Sequence, residues 1–217
     1  LVAGLVTALV GGQPDPPSPE RDPLALRLLP DDAARADEIL AAEGISRTAR
    51  PPVAIHPGSG SPVKRWRPEA WADVLAAVTG PGETVVLTGG PDERPLTSVV
   101  SAACGRQVVD LAGRTDLGTL AAVFARCRLV IGPDSGPLHL AVAAGTPTVH
   151  LFGPAASARF GPWGAASRHR VVASGLPCAP CGRLDWRGPE HHPCVRVIPV
   201  ADVIRAAPPC DPPGANL

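Results

Sequence analysis

Short apolar runs alternate with longer amphipathic stretches from about residue 50 to residue 151. The runs at 53–56, 84–88, 108–110, 128–131 and 147–151 read as buried strands, with 171–173 as a further candidate. Between the first two, Trp71, Val74, Leu75 and Val78 share one face of a helix whose first turn takes Pro68. The turn at 89–93 leads into a helix ending near Cys104, residues 117–127 form another, and 137–144 a third, closed by Gly145. Residues 199–207 make a final short helix. Upstream, residues 24–29 (LALRLL) alternate and read as a strand. Asp31 and Asp32 then offer N-caps for a helix running to Glu43 and closed by Gly44.

Strands this short, separated by amphipathic helices, predict an α/β fold: a Rossmann-like, doubly wound parallel sheet covered on both faces. In such sheets ligands bind beyond the carboxyl ends of the strands. Glycine-rich turns follow strands at 57–60, 89–90 and 132–136, so all of them should open on one edge of the sheet. This domain is expected to span 24–207. Residues 1–23 read as the remnant of a connecting helix and a proline-rich linker, and 208–217 as a disordered tail. The apolar run at 1–10 is too short for a bilayer and lacks the basic flank and cleavage site of a signal peptide. The chain is therefore expected to begin inside a longer protein.

Composition narrows the partners. Lys plus Arg and Asp plus Glu both total 20, a formal charge of zero. Such a balance provides no field for nucleic acid or anionic lipid, so a bound phosphate must be held by local geometry. The six cysteines do not suggest a disulfide framework at this length, and the expected compartment is a reducing cytosol. Cys104 and Cys127 fall in apolar helical patterns and read as small core residues.

Candidate chemistry gathers at the glycine-rich turns. The loop from His56 through Ser59 and Gly60 leads to Lys64; its amides and one lysine suit an anion, though a tight turn with a solvated lysine has the same pattern. The run Gly132-Pro-Asp-Ser-Gly-Pro-Leu-His139 joins a strand to a helix, whose first N–H groups and positive dipole end favour anions. Ser135 or Gly136 can start that helix, and His139 lies in its first turn. Asp134 would repel a phosphate, which suggests a structural role or a contact elsewhere on the ligand. Asp92 and Glu93 end the neighbouring strand, where a carboxylate can accept ribose hydroxyls or simply cap the next helix.

Taken in order, HPGSG, KRW, LTGGPDE, IGPDSGPLHLAVAAGTPTVHLFGP and GPWG closely resemble the C-terminal domain of glycosyltransferase family 9, the ADP-heptose:lipopolysaccharide heptosyltransferases. The resemblance covers roughly residues 25–207. It implies the C-terminal, nucleotide-sugar-binding half of a two-domain GT-B enzyme with its active site between the domains. It also implies inverting, metal-independent transfer without a cofactor. The donor implied is a nucleoside-diphosphate sugar, an ADP-linked heptose, and the acceptor a cell-envelope glycolipid or oligosaccharide. By the same resemblance Lys64, Asp134 and His139 are the catalytic candidates, and Ser59, Gly60, Ser135 and Gly136 join them around the donor. Asp92 or Glu93 would meet the ribose, with the alignment ambiguous by one residue. The family's candidate general base, an Asp of the N-terminal domain, has no counterpart here. The expected location is the cytoplasm, peripheral at the inner face of the plasma membrane.

Other readings make different demands. A nicotinamide dehydrogenase wants a Gly-x-Gly-x-x-Gly turn, which the long loop after His56 does not provide. A GT-B nucleotide-sugar epimerase would need an acidic pattern after Asp-Ser-Gly, where Pro137-Leu-His139 stands instead. A catalytically incomplete nucleotide-binding fragment is the non-enzyme alternative. Cys178, Cys181 and Cys194, with His191 and His192, have zinc-like spacing, but a further cysteine is missing around Trp186 and a structural loop fits as well.

Overall fold

The computed structural model describes residues 17–46, 50–105, 108–185 and 193–208. The remnant helix at 1–10 and most of the tail lie outside the described residues. Six strands form one all-parallel sheet: β1 (Val53–Ile55), β2 (Val85–Leu87), β3 (Val109–Asp110), β4 (Leu129–Pro133), β5 (Thr148–Phe152) and β6 (His169–Ala173). Their spatial order is β3-β2-β1-β4-β5-β6. The chain therefore winds outward from β1 in one direction, returns, and winds outward from β4 in the other. The turns after β1 and β4 diverge at that switch point, where such sheets open a crevice.

Alternate strand residues feed opposite layers. Val53, Ile55, Val85, Leu87, Leu129 and Ile131 face a core shared with α2 (Pro68–Val78), α3 (Arg94–Ala103) and α8 (Val200–Ala206). Ala54, Val86 and Val130 face a second core shared with α1 (Pro30–Ala42), α4 (Leu117–Phe124) and α5 (Gly136–Ala143). Trp71, Val74 and Leu75 are fully buried, as their common face on α2 predicts. Truncating one of these large side chains costs about 2–5 kcal/mol. Cys127 is buried, which pushes its thiol up to about 12, while Cys104 is partly buried against the first core.

The predicted strand at 24–29 does not form. Leu24, Leu26 and Leu29 are exposed, and the segment is a strap whose Leu24 and Leu26 N–H groups donate to the carbonyls of Trp163 and Ala143. Its two-residue alternation has no neighbouring strand to pair with, and only Leu28 packs on the core. Asp31 and Asp32 lie inside the first turn of α1 rather than at its cap, because Pro30 starts the helix after Leu29. The helix predicted over 117–127 stops at Phe124. Two one-turn helices were not legible in the pattern: α6 (Ser157–Phe160) and α7 (Pro193–Arg196).

Candidate nucleotide-binding site

The turns after β1, β2 and β4 meet at the carboxyl edge of the sheet. Together with residues 115–117 they line a cleft of about 240 Å³ that includes His56, Ser59, Gly60, Gly89, Gly90, Glu93, Ser135 and Gly136. The strand ends approach so closely that position 132 requires glycine. A Cβ there would stand 2.5 Å from the His56 carbonyl oxygen and 2.5 Å from Leu138 Cδ2.

Glu93 is fixed from several sides. Its Oε2 accepts the Gly90 N–H at 2.9 Å, and the same oxygen lies 3.8 Å from His56 Nε2. Arg65 approaches Oε1 at 3.8 Å. The carboxylate presses against Gly58, where any Cβ would collide with it. His56 is buried and its Nδ1 bonds Thr88 Oγ1 at 3.1 Å. Burial lowers the His56 pKa to about 4, against the opposing pull of Glu93, so the ring is neutral at pH 7. Asp92, by contrast, is exposed and does not line the cleft. Of the two carboxylates left open by the sequence, Glu93 is the one that faces the cleft.

Next to Ser135 in the chain, but not lining the cleft, Asp134 centres a charged group. Lys64 Nζ donates to Asp134 Oδ2 at 2.6 Å and reaches the Asp134 carbonyl at 3.4 Å. His139 Nε2 stands 3.9 Å from Asp134 Oδ1, a separation longer than a hydrogen bond. Burial works to raise the Asp134 pKa, but His139 and Lys64 outweigh it and hold the carboxyl below its ordinary range. The Ser135 hydroxyl is buried at the start of α5 and has no hydrogen-bond partner among the described residues. In the first turn of α5 Pro137 has no N–H and the Leu138 and His139 N–H groups donate to the Ser135 carbonyl, so the Ser135 hydroxyl is the side-chain group left over at this helix start.

The structure therefore brings the sequence candidates together as two adjoining groups. Ser59, Gly60, Glu93, Ser135 and Gly136 form the cleft, and Lys64, Asp134 and His139 form the charged flank. His56 and Arg65 were not singled out for any role, because both act through contacts with Glu93 that only the fold creates. Both do lie in quoted motifs, HPGSG and KRW, which was the available signal.

The cysteine group resolves differently. Cys194 is buried and Cys178 exposed, and no set of three or more metal-capable side chains forms among the described residues. Burial, then the neighbouring Cys181 and Cys178, push the Cys194 thiol up to about 11. Trp186, His191 and His192 lie outside the described residues.

A parallel sheet of this order, with loops converging at its carboxyl edge on an orphaned helix-start hydroxyl and a lysine–aspartate pair, defines a Rossmann-like α/β domain. The chain belongs to glycosyltransferase family 9 (heptosyltransferase), whose model matches residues 16–186. It is 37% identical over 157 residues to lipopolysaccharide heptosyltransferase 3 of Escherichia coli, covering 71% of this chain and 45% of that protein. A solved glycosyl transferase family 9 protein from Veillonella parvula matches with a TM-score of 0.73 at 27% identity, covering 90% of this chain and 55% of that one. The E. coli ADP-heptose LPS heptosyltransferase II shares the fold, with a TM-score of 0.67 at 24% identity over 84% of this chain and 51% of that one. This chain thus spans about half the length of the relatives it matches. The family match does not favour the epimerase alternative.

Proposed function

We propose that this chain is the donor-binding half of a heptosyltransferase, holding an ADP-linked heptose for transfer to a lipopolysaccharide-type core acceptor. The observation that carries the reading is the Lys64–Asp134 contact of 2.6 Å, which joins the loop after β1 to the loop after β4 at the switch point. Glu93 suits the ribose hydroxyls as an acceptor inside the cleft. Ser135, Gly136 and the amides of Ser59 and Gly60 suit the diphosphate, which leaves the sugar beside Lys64, Asp134 and His139.

The chemistry follows from charge. An acceptor hydroxyl attacks the anomeric carbon, the bond from that carbon to the diphosphate oxygen breaks, and negative charge grows on the leaving phosphate. The Gly136 amide, the Ser135 hydroxyl, Lys64 and His139 are the donors this reading aims at that charge. Asp134 organises the last two rather than facing the phosphate bare, because one buried carboxylate meets both. The proton of the acceptor hydroxyl goes to a base on the opposing domain of the full-length enzyme. Domain boundaries at 24 and 207 belong to this reading, as do attachment to an N-terminal acceptor-binding domain and work at the cytoplasmic face of the membrane. Among the described residues no helix is long and apolar enough to cross a bilayer.

Calorimetric titration tests the donor assignment. ADP should bind more tightly than UDP, and adenosine more weakly than ADP. Equal affinities for ADP and adenosine would remove the diphosphate from the site.

A further inference from the structure

Beneath the charged flank runs a buried line of imidazoles that the proposed transfer does not use. His150 on β5 is fully buried, and its ring centroid lies 5.6 Å from that of His139 on α5. Its Nε2 bonds Thr148 Oγ1 at 2.9 Å, and the same hydroxyl bonds His169 Nδ1 at 3.0 Å. Sheet register sets up this bridge, since Thr148 pairs directly with His169 across β5 and β6. On its other side His150 pairs with Gly132, which has no side chain to crowd it. His150 Nδ1 is buried with no hydrogen-bond partner among the described residues.

One hydroxyl between two ring nitrogens has only one proton to give. If Thr148 donates to His150, then His169 must donate to Thr148, and His150 Nδ1 becomes a buried N–H with no acceptor. If Thr148 donates to His169, then His150 donates from Nε2 and its Nδ1 is a bare lone pair. Orphaned buried N–H groups are rarer and costlier than under-used acceptors, so the second arrangement prevails. Burial, followed by the neighbouring His139 and His169, lowers the His150 pKa to about 3, so the ring stays neutral and keeps that lone pair at any ordinary pH.

We propose that His150 is a positioning residue for His139: the Thr148–His169 bridge keeps the His150 Nδ1 lone pair available, and the partly exposed His139 ring, already in ring contact, turns to donate its N–H to that lone pair and so faces its other nitrogen to the donor. The proposal rests on reading the 134–139 turn as part of the donor site. A ring held through one nitrogen presents the other in a fixed direction, which is how supporting hydrogen bonds set imidazole orientation.

The experiment reads ring nitrogens first, on the intact chain without ligand. Long-range 15N–1H NMR of histidine-labelled protein should show His150 protonated at Nε2 and bare at Nδ1. A proton on Nδ1 overturns the proposal. The His139 ring-nitrogen shifts should then move in His150→Phe and His150→Gln but not in His150→Asn, whose amide oxygen overlays Nδ1. Unmoved His139 shifts in all three variants overturn it too, and so does equal movement in all three. If the Phe variant does not fold, the wild-type spectrum and the Asn and Gln pair still decide. In a second arm ADP is titrated. His150→Phe and His150→Gln should weaken it about fivefold, with His150→Asn near wild type; equal affinities across the series overturn the link to the donor. Wild-type protein that does not bind ADP would refute the donor assignment instead, and the ring-nitrogen spectra would still judge His150.

Discussion

The two ends of the sheet present opposite arrangements of charge. At the amino end, around the starts of β1 and β4, lies a cavity of about 730 Å³, three times larger than the cleft of about 240 Å³ at the carboxyl end. Yet its charges are spent on one another. Arg126 grips Asp37 and donates to the carbonyls of Ala33 and Ala122, each at 2.7 Å. Arg128 pairs with the buried Glu83 and with the Val78 carbonyl, and Arg50 stands 3.6 Å from Glu83. The carboxyl end is smaller, but it converges three loops on an orphaned hydroxyl and a carboxylate that orders two donors. Unfilled polar capacity, not volume, separates a site from a gap between elements.

Substitutions at each end should therefore fail in different ways. The largest effect belongs to Glu83→Ala, which strands Arg128 without its buried partner and should cost about 3–5 kcal/mol of stability in denaturant unfolding. If it folds, its ADP affinity should be unchanged; weakened binding would show that the two ends are not independent. Lys64→Ala comes next. It should weaken ADP about tenfold, in keeping with one charge-assisted contact, and leave adenosine unaffected. Equal losses for both ligands would move Lys64 away from the phosphates.

Acidity gives a third separation. The pKa values of His56 and His150 lie at about 4 and about 3, below the unfolded value near 6.5. As pH falls below 6.5 the unfolded chain takes up protons that the folded chain refuses. Stability should drop by up to about 1.4 kcal/mol per pH unit for each ring until the folded values are reached. His56→Asn should flatten the melting-temperature slope between pH 6.5 and 4.5, and an unchanged slope would mean that His56 is not held neutral. Gly58→Ala should have the smallest effect. Its Cβ displaces the Glu93 carboxylate and should weaken adenosine and ADP alike by a few-fold if Glu93 holds the ribose as proposed. A loss confined to ADP would contradict that placement.

Much of this was legible in the chain. Strand–turn–helix alternation was sufficient to place three glycine-rich turns on one edge, because parallel strands with helical crossovers all point the same way. The position of Asp134 was legible, but its role was not: a carboxylate beside a phosphate looks repulsive until Lys64 is found 2.6 Å away, 70 residues earlier in the chain. Asp92 and Glu93 could not be told apart, because a short 3-10 turn over Pro91–Glu93 decides which one faces inward. The strap at 24–29 misled for the opposite reason, since alternation reports two faces but not whether a neighbouring strand exists to pair with. The His150–Thr148–His169 line was invisible because only strand register brings Thr148 beside His169.

The central claim is that donor binding belongs to the carboxyl end of the sheet. Titrating ADP into 15N-labelled chain and following backbone amides tests it most directly. The account predicts shifts at Gly58, Gly60, Gly90, Ser135 and Gly136, with Gly44, Ser46, Ala125 and Cys127 unmoved. Shifts centred on the second set, with the first set silent, would contradict it.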